Sequence, residues 1–182
     1  MLSEYELELD WRGFELHPET PPGGMRLDER FPAEKLRGMA EHMTQFAAHF
    51  GIHDFVVRDR MPNTRRALAL AEVAREEGKL EAYRQRAMDA HWRHGLNLED
   101  DDDLRAIARD AGLADDAVER SRSDRRYLIR IDDIREEANE LGVEGIPTFV
   151  IGRYGFSGAQ RYESFVALAE RAGAKKRTPP GG

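Results

Sequence analysis

The reactive side chain that matters most in this sequence is one it lacks: among its 182 residues there is no cysteine. Disulfides, thiolate metal ligands and cysteine nucleophiles are therefore outside its own chemistry. Histidines and carboxylates remain. In HWRHG, His91 and His94 stand three apart, so a helix would bring both imidazoles to one face as two nitrogen ligands. Zinc needs three or four ligands, and no further one is indicated nearby. His94, just before Gly95, reads more simply as favourable charge at a helix C-terminus, with Trp92 turned towards the core. The run EDDDD (99–103) has the composition of a divalent-cation cluster but lacks the glycine and spacing of a calcium loop. Acidic residues ahead of a helix satisfy its free amides, so a helix cap is expected there. Neither a metal nor a cofactor is expected. His17, next to Glu15 in FELHP, follows an alternating segment and is a candidate for substrate contact or for an exposed loop.

The charge balance narrows the partners. With 28 basic and 35 acidic side chains the net charge is -7, which repels a phosphate backbone, so nucleic acid is not an expected partner. No apolar run approaches the roughly 18 residues that would span a bilayer, and MLSEYELELD lacks the basic-then-apolar order of a secretory signal. A cytoplasmic address and no membrane association are expected. Hydrophobic residues at 40% and charged residues at 35% suit a globular chain with charged helix faces.

These side chains must be held by elements the patterning suggests. Residues 4–14 alternate, with Tyr5, Leu7, Leu9 and Trp11 on one face and charged residues on the other, which predicts a half-buried strand. HPETPPGG (17–24) predicts an exposed loop. Over residues 32–50, Leu36, Met39, Met43, Phe46 and Phe50 recur at steps of three and four; the spacing predicts an amphipathic helix packed on a core and closed by Gly51. Its methionines could instead line an apolar groove. A connector (52–64) leads to a helical hairpin, residues 64–78 and 80–94, where Asn63 or Thr64 can cap the first helix. Helices follow after the acidic run, from Asp115, and over 124–141. TFVIG and RYGFSG predict two strands joined around Gly152 and Arg153, then a last helix at 162–172. The tail, 175–182, is expected to be disordered.

The stretch GVEGIPTFVIGRYGFSGAQRYESFVALAE resembles the C-terminal half of the DsbA family of thioredoxin-fold proteins, in particular its FrnE-like branch. WRGFELHPETPPGG, MPNTRRALALAEVAREEGK and DLRAIARDAGL resemble that branch in the same order. The resemblance implies an α/β fold: a thioredoxin-like sheet, its first strand missing, with an inserted all-α helical domain. Residues 1–24 and 142–174 would form the thioredoxin-like part and 25–141 the insertion with its connecting helices. It also implies that Pro147 follows a cis bond and that the backbone of Ile146 pairs with an extended substrate segment. A proline opening a strand leaves neighbouring backbone groups unpaired by the sheet, which suits such docking.

In the family a central strand, the CxxC turn and a helix come before the segment corresponding to residues 4–14. Here they do not, and truncation of a longer frame is the expected explanation, ahead of a sheet that closes differently or a strand borrowed from a partner. The chain is thus expected to be a thiol-disulfide oxidoreductase by family and unable to perform dithiol chemistry by content, with a protein or small-molecule thiol as substrate and a homodimer as one possible assembly. Substrate contacts are assigned to Ile146, Pro147, Phe14, Leu16 and His17, with Phe149 adding apolar surface and Asn63 either near the cleft or capping a helix. Two other readings stay open: a glutathione-dependent isomerase or kappa-class transferase-like enzyme, and a non-catalytic scaffold that binds peptides or dimerises.

Overall fold

The computed structural model describes residues 1–177. Its elements run β1 (Met25–Arg26), α1 (Ala33–His49), β2 (Arg60–Met61), α2 (Arg65–Glu76), α3 (Leu80–Trp92), α4 (Asp101–Asp110), α5 (Ala117–Ser123), α6 (Arg125–Glu140), β3 (Thr148–Ile151), β4 (Tyr154–Ser157) and α7 (Tyr162–Arg171). The chain divides into two compact units, one of Met1–Leu16 with the chain from Ile134 onwards, the other His17–Asp133.

The helical unit is built around α2. Ala67, Leu70, Val73 and Ala74 recur at helical spacing and are buried with Tyr83 of α3, Leu104 and Ile107 of α4, Val118 of α5 and Tyr127 and Ile131 of α6. Tyr83 fits this apolar setting because its hydroxyl donates to the Ala67 carbonyl at 2.8 Å. The acidic run caps α4 as expected: an Asp100 carboxylate oxygen accepts the Asp102 and Asp103 amides at 2.9 and 3.1 Å. Gly51, Gly78, Gly95 and Gly112 follow helices at φ of 73°, 68°, 66° and 75°, the left-handed stop that only glycine takes without a Cβ penalty.

Three expectations are corrected in this unit. The stripe on α1 packs on no core: no residue of the helix is buried, and Met39, Phe46 and Phe50 are 40%, 53% and 57% exposed. At the end of α3 the faces are reversed, with His91 buried and Trp92 39% exposed, because the segment laid against this turn bonds to it through the backbone, Val56 N–H to Trp92 O. The connector at 52–64 holds more structure than its composition suggests, whereas 17–24 is the expected loop, exposed except at Thr20 and half-buried Gly24. Met25 and Arg26 pair antiparallel with Met61 and Arg60, and Thr20 is buried.

In the other unit, β3 and β4 form an antiparallel hairpin turning at Gly152, φ 60°, as TFVIG and RYGFSG suggest. Phe149, Phe156 and Phe165 of α7 stack with ring centroids 4.7–5.5 Å apart, fastening the helix to one face of the hairpin. The expected strand at 4–14 is not formed. It makes one antiparallel bridge, Tyr5 to Lys176, with Glu6 N–H donating to Lys175 O and Arg177 N–H to Glu4 O, both at 2.8 Å. Alternation defines a face but supplies no ladder partner, and beyond Lys175–Arg177 the segment finds none among the described residues. The same pairing corrects the tail at residues 175–177; the remainder of the expected disordered tail lies outside the described residues.

Candidate functional site: the open edge of the β3–β4 hairpin

The site begins at the Ile146–Pro147 bond, which is cis, as the resemblance implies. Pro147 has no N–H, and its carbonyl accepts the Gly158 amide at 2.7 Å, extending the hairpin ladder by one pair. That bond fixes the phase of the ladder. In an antiparallel pair, alternate residues exchange bonds with the partner and the residues between point away. With Pro147 bonded to Gly158, the partners that exchange bonds are Phe149 with Phe156 and Ile151 with Tyr154. The backbone groups of Ile146, Thr148 and Val150 therefore face the opposite edge. Among the described residues β3 pairs only with β4, and no partner occupies that outer row.

Side chains mark the same row. Ile146 is 54% and Val150 47% exposed, while Phe149 is held in the aromatic stack. The apolar surface expected from Phe149 is thus supplied by Val150, its neighbour on the opposite face. Thr148 ties the entry of the strand: its hydroxyl donates to Gly145 O at 2.6 Å and lies 2.7 Å from the Ser157 hydroxyl. These contacts hold the segment that carries Ile146 in a defined path.

The other expected residues divide between the units. Phe14 is half-buried and Leu16 is 40% exposed, both in the unit that holds the hairpin. Glu15 between them is buried, with Arg135 at 3.4 Å, so this short segment is anchored through its carboxylate. His17 and Asn63 belong to the helical unit. His17 is exposed, its Nδ1 3.3 Å from Glu19 Oε1. Asn63 is a structural junction: its side-chain oxygen accepts the Arg65 amide at 3.0 Å, its side-chain nitrogen donates to Thr20 O at 2.6 Å, and its own amide donates to Glu99 Oε1 at 2.9 Å. These bonds place the Asn63 side chain at the start of α2.

Among the described residues no group of three or more metal-ligating side chains is assembled. His91 and His94 leave α3 differently, His91 inward and His94 exposed. What the edge can do chemically is offer backbone donors and acceptors, flanked by two aliphatic side chains, to another extended backbone. Thr148 and Val150 went unassigned from sequence; the alternation within TFVI was the available signal, and only the position of α7 shows which of its faces is open.

Comparison with known proteins agrees with this geometry. A family model described as a DSBA-like thioredoxin domain matches residues 1–169. The uncharacterized protein YwbO of Bacillus subtilis is 25% identical over 162 residues, covering 88% of this chain and 80% of its own length. The crystal structure of a probable DsbA oxidoreductase from Streptomyces coelicolor superposes with a TM-score of 0.75 at 27% identity, over 94% of this chain and 77% of the other.

Proposed function

Because the chain belongs to the family of DSBA-like thioredoxin domains, we propose that the outer edge of β3 docks an extended segment of a thiol- or disulfide-bearing protein substrate. The fold is the mixed α/β one of a DsbA-like thioredoxin protein, and the family reading is thiol-disulfide oxidoreductase. Thiol-disulfide exchange starts with attack by a thiolate, and these 182 residues hold no thiol. Any exchanging sulfur then lies outside these residues, and what they contribute is recognition. The observation that carries the reading is the outward row at Ile146, Thr148 and Val150, unoccupied among the described residues beside a hairpin that fixes it. The FrnE-like branch is favoured by the order of the WRGFELHPETPPGG, MPNT and DLRAIARDAGL stretches. A cytoplasmic location accords with the absence, among the described residues, of any helix long and apolar enough to cross a membrane.

The test is a titration of the isotopically labelled chain with an extended octapeptide of alternating valine and lysine, whose charge complements the protein's. The expected result is saturable shifts of the Thr148 and Val150 amides. They should be lost when alternate peptide nitrogens are methylated, and in Val150→Pro, which removes one outward N–H without touching the bonds to β4. Binding unchanged in Val150→Pro, or shifts confined to other elements, would refute the docking edge.

A further inference from the structure

Helix α1 is the least accounted-for element of the molecule. An isolated helix of its length is marginal in water, yet none of its residues is buried. Its large apolar residues, Leu36, Met39, Met43 and Phe46, and Phe50 that caps it, are spaced by three, four, three and four positions. Set in a heptad these are a and d positions, and with the alanines beside them they make the broad apolar stripe of a helix that buries one face. The flanking e positions are Ala40 and Ala47, small enough to admit the knobs of an opposing helix. The ring of Phe46 meets that of Phe50 edge to face at 5.1 Å, and His49 meets Phe50 likewise at 5.2 Å, so the exposed aromatics are already arrayed along the seam.

We propose that α1 is a homodimerisation helix whose seam is covered by α1 of a second copy. A seam of this kind is self-complementary, which is what a two-fold interface requires. The charges agree. The whole chain carries -7, so copies repel in general, but Glu34 and Glu41 on α1 are balanced by Lys35 and Arg37, leaving this face without net repulsion. A partner chosen by charge would find nothing here to read. The extent also suffices: a helix of 17 residues is about 25 Å long. With Ile52, Val56 and Val57 also exposed just beyond it, a two-copy contact reaches the order of 1,000 Å² expected of a specific interface.

The absence of native cysteine gives a clean test. Met43→Cys, near the centre of the seam, supplies the only thiol in each chain; under mild oxidation it should link two copies far faster than Arg109→Cys on the exposed face of α4. Sedimentation equilibrium up to about 100 µM should show the unmodified chain at twice its monomer mass. Phe46→Glu should raise the dimer Kd by at least about tenfold with the core around α2 still folded, since no residue of α1 is buried in it. Val150→Pro should leave the dimer intact. A monomer throughout this range, equal cross-linking at residues 43 and 109, or dissociation by Val150→Pro instead of Phe46→Glu would each overturn the proposal.

Discussion

His91 shows how burial changes what a residue can do. It sits at the end of α3 with its Nδ1 buried and without a hydrogen-bond partner among the described residues. Burial pushes its imidazole below the usual histidine pKa, and the Arg58 guanidinium adds to this, against a raising hydrogen bond with the Leu96 carbonyl. Arg58 itself donates to Leu96 O at 3.1 Å, so a second positive charge on the imidazole would compete beside an existing one. The sign follows from linkage: the unfolded chain takes up the proton first, so folding stability is full above the ordinary value of about 6.5 and declines as pH falls from there towards the lowered folded value. His91→Phe should flatten that part of the stability-pH curve in chemical denaturation between about pH 7 and 5. An unchanged slope would mean that His91 titrates as if exposed. From sequence, Trp92 was expected to turn towards the core; the structure turns His91 inward instead. That choice is made by the segment around Val56, which bonds to the Trp92 carbonyl from 36 positions earlier in the chain.

At the scale of elements, local chemistry was readable and long-range pairing was not. Asp100 satisfies two amides at the start of α4, and Asp100→Ala should cost about 1 kcal/mol, typical of a lost N-cap, measured as a shift in the denaturation midpoint. No shift would assign the capping to Asp101–Asp103 instead. Such caps, the glycine stops and the hairpin turn at Gly152 are set by residues adjacent in sequence, which is why the helices and the β3–β4 hairpin were legible. The alternation at 4–14 was equally clear as a pattern. A strand, however, exists by its ladder, and the strand-like backbone pairing of this segment among the described residues is with Lys175–Arg177. The α1 stripe failed in the opposite sense: its period was read correctly, but period alone does not say whether a face meets its own core or another molecule. Of the proposed docking edge, the resemblance named Ile146 and Pro147. It was missed at Thr148 and Val150 because the phase of the edge depends on the Gly158 to Pro147 bond.

For the whole molecule, the account separates recognition from exchange. These residues, which carry no thiol, should not accelerate reduction of a protein disulfide by dithiothreitol above the rate in buffer. Acceleration by these residues alone would contradict the reading that they recognise a substrate without exchanging its sulfur. The central claim, an open and competent edge on β3, is tested most directly by amide hydrogen exchange along the hairpin, with and without the extended octapeptide. The Phe149 and Ile151 amides, committed to β4, should be protected in both cases. Those of Thr148 and Val150 should exchange near the rate of an exposed backbone in the free protein and slow when peptide is present. Thr148 and Val150 amides already protected in the free chain, or left fast by saturating peptide, would show that the edge is covered or that it does not dock.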